Sequence, residues 1–94
     1  MIRSFKTELT RKLCAREPAP AFPPDLQRRA QRKLRMLDAA TRLQDLRVPP
    51  GNRLEALAGA RAGQHSIRVN RQWRICFIWR DGDAYEVEVV DYHP

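Results

Sequence analysis

The 94-residue sequence predicts an α+β domain in which two N-terminal helices pack on one face of a small, mainly antiparallel sheet, in the order β-α-α-β-β-β. Three observations predict it. Leu26, Ala30, Leu34, Leu37 and Ala40 recur at spacings of three and four, the period of a helix with one buried stripe. His65, Ile67 and Val69 alternate with Ser66, Arg68 and Asn70, and Trp73, Ile75, Phe77 and Trp79 alternate with Arg74, Cys76, Ile78 and Arg80, the period of half-buried strands. Tyr85, Val87 and Val89 form a third alternating run after the turn signal Asp81-Gly82-Asp83.

Ile2 to Phe5 reads as a short strand, and Thr7 as the N-cap of a helix to about Arg16 with Leu9 and Leu13 on one face. The segment EPAPAFPP, residues 17–24, holds four prolines and is a stiff connector rather than helix or central strand. Pro23 and Pro24 suit a helix start and Asp25 complements its N-terminal dipole, so the second helix is expected from Asp25 to about Leu43. Asp45 to Gly63 reads as a loop broken by Pro49-Pro50-Gly51-Asn52, with Leu54 and Leu57 anchoring it to the core.

Matching the apolar faces of the last three strands then fixes their pairing, because partners across an antiparallel ladder point to the same side. Val69 is expected opposite Trp73 across the three-residue turn Asn70-Arg71-Gln72, which sets Arg68 opposite Arg74. A second three-residue turn pairs Trp79 with Tyr85, Phe77 with Val87 and Ile75 with Val89, leaving Arg74 opposite Val90 and Tyr92 diagonal to Arg74. Glu88 falls opposite Cys76, where it orients Arg74 or balances its charge. His65 is expected as a buried or edge histidine on the apolar face.

A chain of this length holds one core, so residues 1–94 are expected as a single domain, and 43% hydrophobic content suffices to fold it without metal or disulfide. Cys14 and Cys76 form no C-x-x-C pair and no Cys/His cluster has ligand spacing, so free thiols and no metal or other cofactor are expected. With no membrane-length apolar run and no signal-peptide segment in MIRSFKTELTRK, the expected location is the cytoplasm. The net charge of +7 is uneven: residues 1–80 hold all 18 Lys and Arg against six acids, whereas residues 81–94 hold five acids and neither base. Such a basic body suits a polyanion, and Arg28, Arg29, Arg32, Lys33 and Arg35 cluster on the outer faces of the second helix.

Like charges directly opposite on a sheet are destabilising unless an anion sits between them. The pair Arg68 and Arg74, with Tyr92 on the same face and Asp91 and His93 at the strand end, therefore reads either as a phosphate site or as long side chains splayed into water at the chain's end. Two guanidiniums hold a phosphate and stabilise the charge that grows when an oxygen attacks phosphorus. Tyrosine among arginines gains acidity, and histidine exchanges a proton near neutrality. Metal-independent phosphodiester cleavage fits these groups.

The segments IRSF at 2–5, RLEALAG at 53–59, SIRVNRQWRICF at 66–77 and VEVVDYH at 87–93 together resemble the HigB-type toxins, also called plasmid maintenance killer proteins, of the RelE/ParE superfamily. The resemblance implies a RelE-like fold and a ribosome-dependent mRNA endonuclease. In such proteins the 2′-hydroxyl attacks the adjacent phosphate in the ribosomal A site, leaving a 2′,3′-cyclic phosphate and a 5′-hydroxyl. It assigns Arg68, Arg74, Asp91, Tyr92 and His93 to catalysis and implies a HigA-type helix-turn-helix antitoxin. RNA contacts are expected from Arg28, Arg32 and Lys33 of the helix, Arg53 and Arg61 of the loop, and Arg71 of the turn. Some family members carry histidine and lysine where this sequence has Glu55 and Ala58, which leaves the general base open, with Tyr92 and His93 as candidates. The competing expectation is a ParE-like gyrase inhibitor or a catalytically weakened protein that binds only RNA or antitoxin.

Overall fold

The computed structural model describes residues 1–91. Two helices, α1 (Glu8–Cys14) and α2 (Pro24–Ala39), precede four antiparallel strands, β1 (Glu55–Ala56), β2 (His65–Arg68), β3 (Trp73–Arg80) and β4 (Asp83–Asp91), in the spatial order β1-β2-β3-β4. The fold is α+β with both helices on one face of the sheet, as the periodicities require. Its fourth strand comes from the loop rather than the N-terminus. Ile2 and Phe5 make only isolated parallel bridges, to Ala84 and Val87. Between them the Ser4 hydroxyl accepts the Glu86 amide, so the N-terminal segment arches over an irregularity in β4 instead of pairing continuously.

Thr7 caps α1 as its residue type predicts, its hydroxyl accepting the Thr10 amide at 3.2 Å. The helix stops at Cys14, short of Arg16, which has a left-handed φ of 61°. Its inward face is Thr10 and Leu13, whereas Leu9 is exposed, contrary to the sequence expectation. Thr10 explains the rotation: its hydroxyl accepts the Val89 amide at 3.1 Å and fastens α1 to β4. The proline connector is held by Gln27, whose amide donates to the carbonyls of Ala19 and Phe22.

Leu26, Ala30, Leu34 and Leu37 of α2 are buried against Ile67, Val69, Ile75, Phe77, Val87 and Val89. Full burial of each large side chain contributes about 1.5–3 kcal/mol, so this interface dominates the core. The helix ends at Ala39 rather than near Leu43, with Ala40 extended. Asp45 accounts for the early stop, since its carboxylate accepts the amides of Thr41 and Arg42 and starts a separate 3-10 turn, Leu43–Arg47. Leu54 packs on the core as expected, but fully buried Leu46 and Asn52 are the principal anchors of this region.

The β2–β3 register is the one read from the sequence, with Ile67 opposite Ile75 and Arg68 opposite Arg74. Asn70 shapes the turn, its Oδ1 accepting the amides of Gln72 and Trp73. The β3–β4 register agrees only near the site, where Arg74, Ile75 and Cys76 face Val90, Val89 and Glu88. Nearer the turn, Trp79 faces Ala84 and Ile78 faces Tyr85. Asp81 and Gly82 both have positive φ and make a two-residue turn, which changes the pairing parity by one; the shift between Cys76 and Ile78, with Glu86 at φ 53°, restores it. Tyr85 is thereby turned out to the Arg80 guanidinium at 4.4 Å, and Ala84 takes the buried place.

Candidate functional site

The outer face of the sheet is built from two neighbouring rungs. One carries Glu55, Ser66, Cys76 and Glu88 across all four strands, and the next carries Arg68, Arg74 and Val90. Arg74 is only 9% exposed. Its Nε donates to Ser66 Oγ at 2.8 Å and one terminal nitrogen donates to the Arg53 carbonyl at 2.7 Å. A Glu55 carboxylate oxygen lies 3.6 Å from that same nitrogen. These contacts fix the plane of the guanidinium.

Why the Arg53 carbonyl points there is a matter of local sequence. Pro50-Gly51-Asn52 closes a 3-10 turn, and Arg53 follows in a left-handed conformation with φ 45°. Asn52 is fully buried; its side-chain amide donates to the carbonyls of Leu46 and Val48. Its Oδ1 accepts from Lys33 Nζ. One buried amide thus ties the turn, the Arg53 carbonyl and α2 together.

Arg68 is half-buried, its Nε donating to the Asn70 carbonyl at 3.0 Å. It opens onto a cleft of about 530 Å³ lined also by Asp25, Arg29, Lys33, Asn70 and Arg71. A second cleft, about 450 Å³, adjoins it and is lined by Arg28, Arg32 and four of the same groups: Asp25, Arg29, Lys33 and Val69. Together they make a groove between α2 and the β2–β3 turn with six cationic side chains and one carboxylate, Asp25, among the described residues. Burial lowers the Lys33 pKa from its ordinary value, and Arg32 beside it lowers it further.

The expected RNA-contacting residues therefore divide. Arg28, Arg32, Lys33 and Arg71 share the groove, and Arg29, absent from the expected set, joins them because it lies four residues before Lys33 on the same helical face. Arg61 lies elsewhere, donating to Glu88 at 2.9 Å and to Gln64. Glu88 is 8% exposed and also faces Lys6 at 3.6 Å, so it braces the 59–64 segment against the sheet through Arg61 rather than pairing with Arg74 as its register suggested. Arg53 contributes its carbonyl.

Asp91 pairs with Trp73, on the opposite side of the ladder from Arg74, and accepts from Gln72 Nε2 at 2.9 Å. Tyr92 and His93 lie outside the described residues. Cys76 is buried within the first rung, and burial raises its thiol pKa. Cys14 and Cys76 are both free thiols. His65 is half-buried and stacks on Phe77 at 6.3 Å. Among the described residues no group of three His, Cys, Asp or Glu is placed to hold a metal ion, and no helix is long and apolar enough to cross a membrane.

Comparison with known proteins identifies the family. A family model described as a RelE-like toxin of the type II toxin-antitoxin system HigB matches residues 3–93. The chain belongs to the HigB family of toxins. That family is described as one of type II toxin-antitoxin systems. Residues of this HigB-family chain are 52% identical to a Vibrio cholerae protein named Toxin HigB-1 over 63 residues, 67% of this chain and 66% of that protein, just under two thirds of its length. Over 93 residues, 99% of this chain and 100% of the relative, it is 34% identical to a Proteus vulgaris protein named Endoribonuclease HigB. In structure it is similar to a chain of the YoeB-YefM complex from Staphylococcus aureus, with a TM-score of 0.62 over 100% of this chain and 99% of that one. At 13% identity that likeness concerns the fold alone.

Proposed function

We propose that this HigB-family toxin is an endoribonuclease that cuts mRNA in the ribosomal A site. The observation that carries the proposal is the opposition of Arg68 and Arg74 on the sheet, with Arg68 also lining a groove of six cations. Two guanidiniums in register favour an anion between them, and a phosphodiester is the anion that the groove would deliver. The full-length similarity to a protein named Endoribonuclease HigB supports the same chemistry.

In the proposed reaction the groove tracks the RNA backbone through phosphate contacts, which carry affinity without sequence preference. Arg74, held in place beforehand, stabilises the charge that develops as the 2′-oxygen attacks phosphorus, and Arg68 shares the phosphate from the opposite strand. The P–O5′ bond breaks, leaving a 2′,3′-cyclic phosphate and a 5′-hydroxyl. The acid that protonates the leaving oxygen comes from Tyr92 or His93 of the C-terminal motif, Asp91 facing the other side of the sheet from Arg74. Residues 1–94 act as one domain, on ribosomes in the cytoplasm. A HigA-type helix-turn-helix antitoxin neutralises it.

Primer extension on an mRNA translated by purified ribosomes tests the reading, with ribosome-free RNA as control. Cuts that require ribosomes and vanish in Arg74→Ala are the expected result. Intact transcripts from folded, antitoxin-free protein, with DNA breaks in gyrase-containing reactions, would replace it by the gyrase-inhibitor reading.

A further inference from the structure

On the helix side of the short edge strand lies a separate cleft of about 320 Å³, lined by Leu43, Gln44, Arg47, Leu54, Ala56 and His65. Its relation to Arg74 follows from β1, whose two side chains point to opposite faces. Glu55 shares its rung with Ser66 and lies 3.6 Å from the Arg74 guanidinium, whereas Ala56 pairs with His65 and lines the cleft. Leu54 follows the Arg53 carbonyl that accepts from Arg74, packs on the core and forms a wall of the same cleft. The segment 53–56 therefore meets Arg74 on one side and the cleft on the other.

The polar groups of the cleft have no protein partner to account for them. Side chains three apart fall on one side of a 3-10 turn, so Leu43–Arg47 presents Gln44 and Arg47 together. Neither makes a side-chain hydrogen bond or ion pair among the described residues, and no carboxylate lines the cleft. The nearest acid in sequence, Asp45, is taken up by the amides of Thr41 and Arg42. His65 stacks on Phe77, and its Nδ1 is buried without a hydrogen-bond partner, a cost that an apolar ring in that place would avoid. Because Nδ1 is out of reach, Nε2 is the ring nitrogen that a ligand can meet. Apolar walls suit the faces of a flat ring, an amide and an imidazole nitrogen suit its hydrogen-bonding edge, and a guanidinium suits a phosphate. Single-stranded RNA offers those three surfaces in every unstacked nucleotide. We propose that the cleft is a nucleotide-binding subsite in which Leu43, Leu54 and Ala56 hold a splayed base, Gln44 and His65 meet its edge, and Arg47 meets its phosphate. The occupant is a nucleotide of the substrate strand near the phosphate on Arg74, because segment 53–56 joins the two places; that assignment rests on the nuclease function proposed above. An RNA running over the end of β1 is thereby held on both sides of the edge strand.

The test has two arms. In the first, the four nucleoside monophosphates are titrated into the wild-type protein while the Gln44 side-chain amide and the His65 ring are followed by NMR, with inorganic phosphate as control. Saturable shifts at both groups with nucleotide, and none with phosphate alone, are the expected result. Gln44→Ala combined with Arg47→Ala, both at exposed positions, should weaken binding about tenfold through the lost hydrogen bonds. Ala56→Phe fills the cleft and should abolish binding, with the folding of each variant checked by thermal melting. In the second arm the same variants cleave ribosome-bound mRNA. Half-saturation should rise about tenfold while the rate at saturation stays within about threefold of wild type, the pattern of lost uniform binding. Shifts confined to the groove beside α2, with Gln44 and His65 silent, would overturn the proposal. So would variants that bind nucleotide as the wild type does, or cleft shifts produced by an acidic peptide and by no nucleotide, which would give the cleft to a protein partner. Wild-type protein that takes nucleotide into the cleft yet makes no cuts would instead remove the nuclease reading and keep the nucleotide site, a result distinct from any of these.

Discussion

Arg74 is 9% exposed and donates to the Ser66 hydroxyl and the Arg53 carbonyl, whereas Arg28, Arg29 and Arg32 stand exposed on α2, the first two sharing Asp25. The difference separates two uses of positive charge. A guanidinium held by buried partners is already where a transition state needs it and costs no reorganisation at the moment of reaction. Exposed cations on a helix face are mobile and screened by salt, but several of them together set encounter and affinity with a polyanion. In the proposed reaction the first region serves rate and the second binding.

The largest effect should come from the first region. Arg74→Ala is expected to slow cleavage about 10²–10³-fold at saturating ribosome, the cost of losing one preorganised electrostatic group. Arg74→Lys should recover little, because an ammonium lacks the planar fork that meets Ser66 and the Arg53 carbonyl together. If R74K instead cuts like wild type, charge alone suffices and the rigid geometry of this region is irrelevant to rate.

Asn52 is the place where the comparison can break, because it touches both regions. It holds Lys33 of the groove and stabilises the turn that presents the Arg53 carbonyl to Arg74. Asn52→Ala leaves buried carbonyls without a donor and should lower stability by about 1–3 kcal/mol. Thermal melting measures that loss, and the cleavage assays should show that rate and affinity decline together. A variant that loses stability while both functions hold would show that neither region depends on this joint.

The groove should respond in a different quantity. Replacing Arg29 and Arg32 together by glutamine is expected to reduce the dependence of log affinity on log salt by about two, roughly one for each phosphate that these arginines neutralise. The loss should fall on half-saturation far more than on the rate at saturation. Equal losses in both would merge the groove with the reacting centre.

These two regions were not equally legible in the sequence. The facing of Arg68 and Arg74 follows from residue parity, since Val69 and Trp73 must share the apolar face and Asn70 makes the short turn between them. The groove unites α2 with a turn some forty residues later, and no local period reports that distance. Glu55 stood in a stretch with no strand signal, as β1 is two residues long and exists by pairing with Ser66 and His65. The register near Asp81-Gly82 was misread because a two-residue turn and a bulge offset each other, and Glu86 gives no glycine to mark the bulge. The early end of α2 was hidden for a related reason, as Asp45 caps a new turn from beyond the helix.

The smallest expected effect tests whether the groove cations act on one another at all. Burial, and after it Arg32, lowers the Lys33 pKa from that of an ordinary lysine. A lysine holds its charge below its pKa, so the share of polyanion affinity that depends on Lys33 is present at neutral pH and is lost as pH rises through that lowered value, earlier than for an exposed lysine. Arg32→Gln removes the second cause and leaves the first, so the Lys33 titration, followed by carbon NMR at Cε, should move part of the way back up. A phosphate-bearing oligonucleotide in the groove should move it in the same direction by supplying the opposite charge. If R32Q leaves the titration where it was, burial alone governs Lys33. The groove would then be a set of independent contacts rather than a mutually repelling cluster that an RNA backbone relieves.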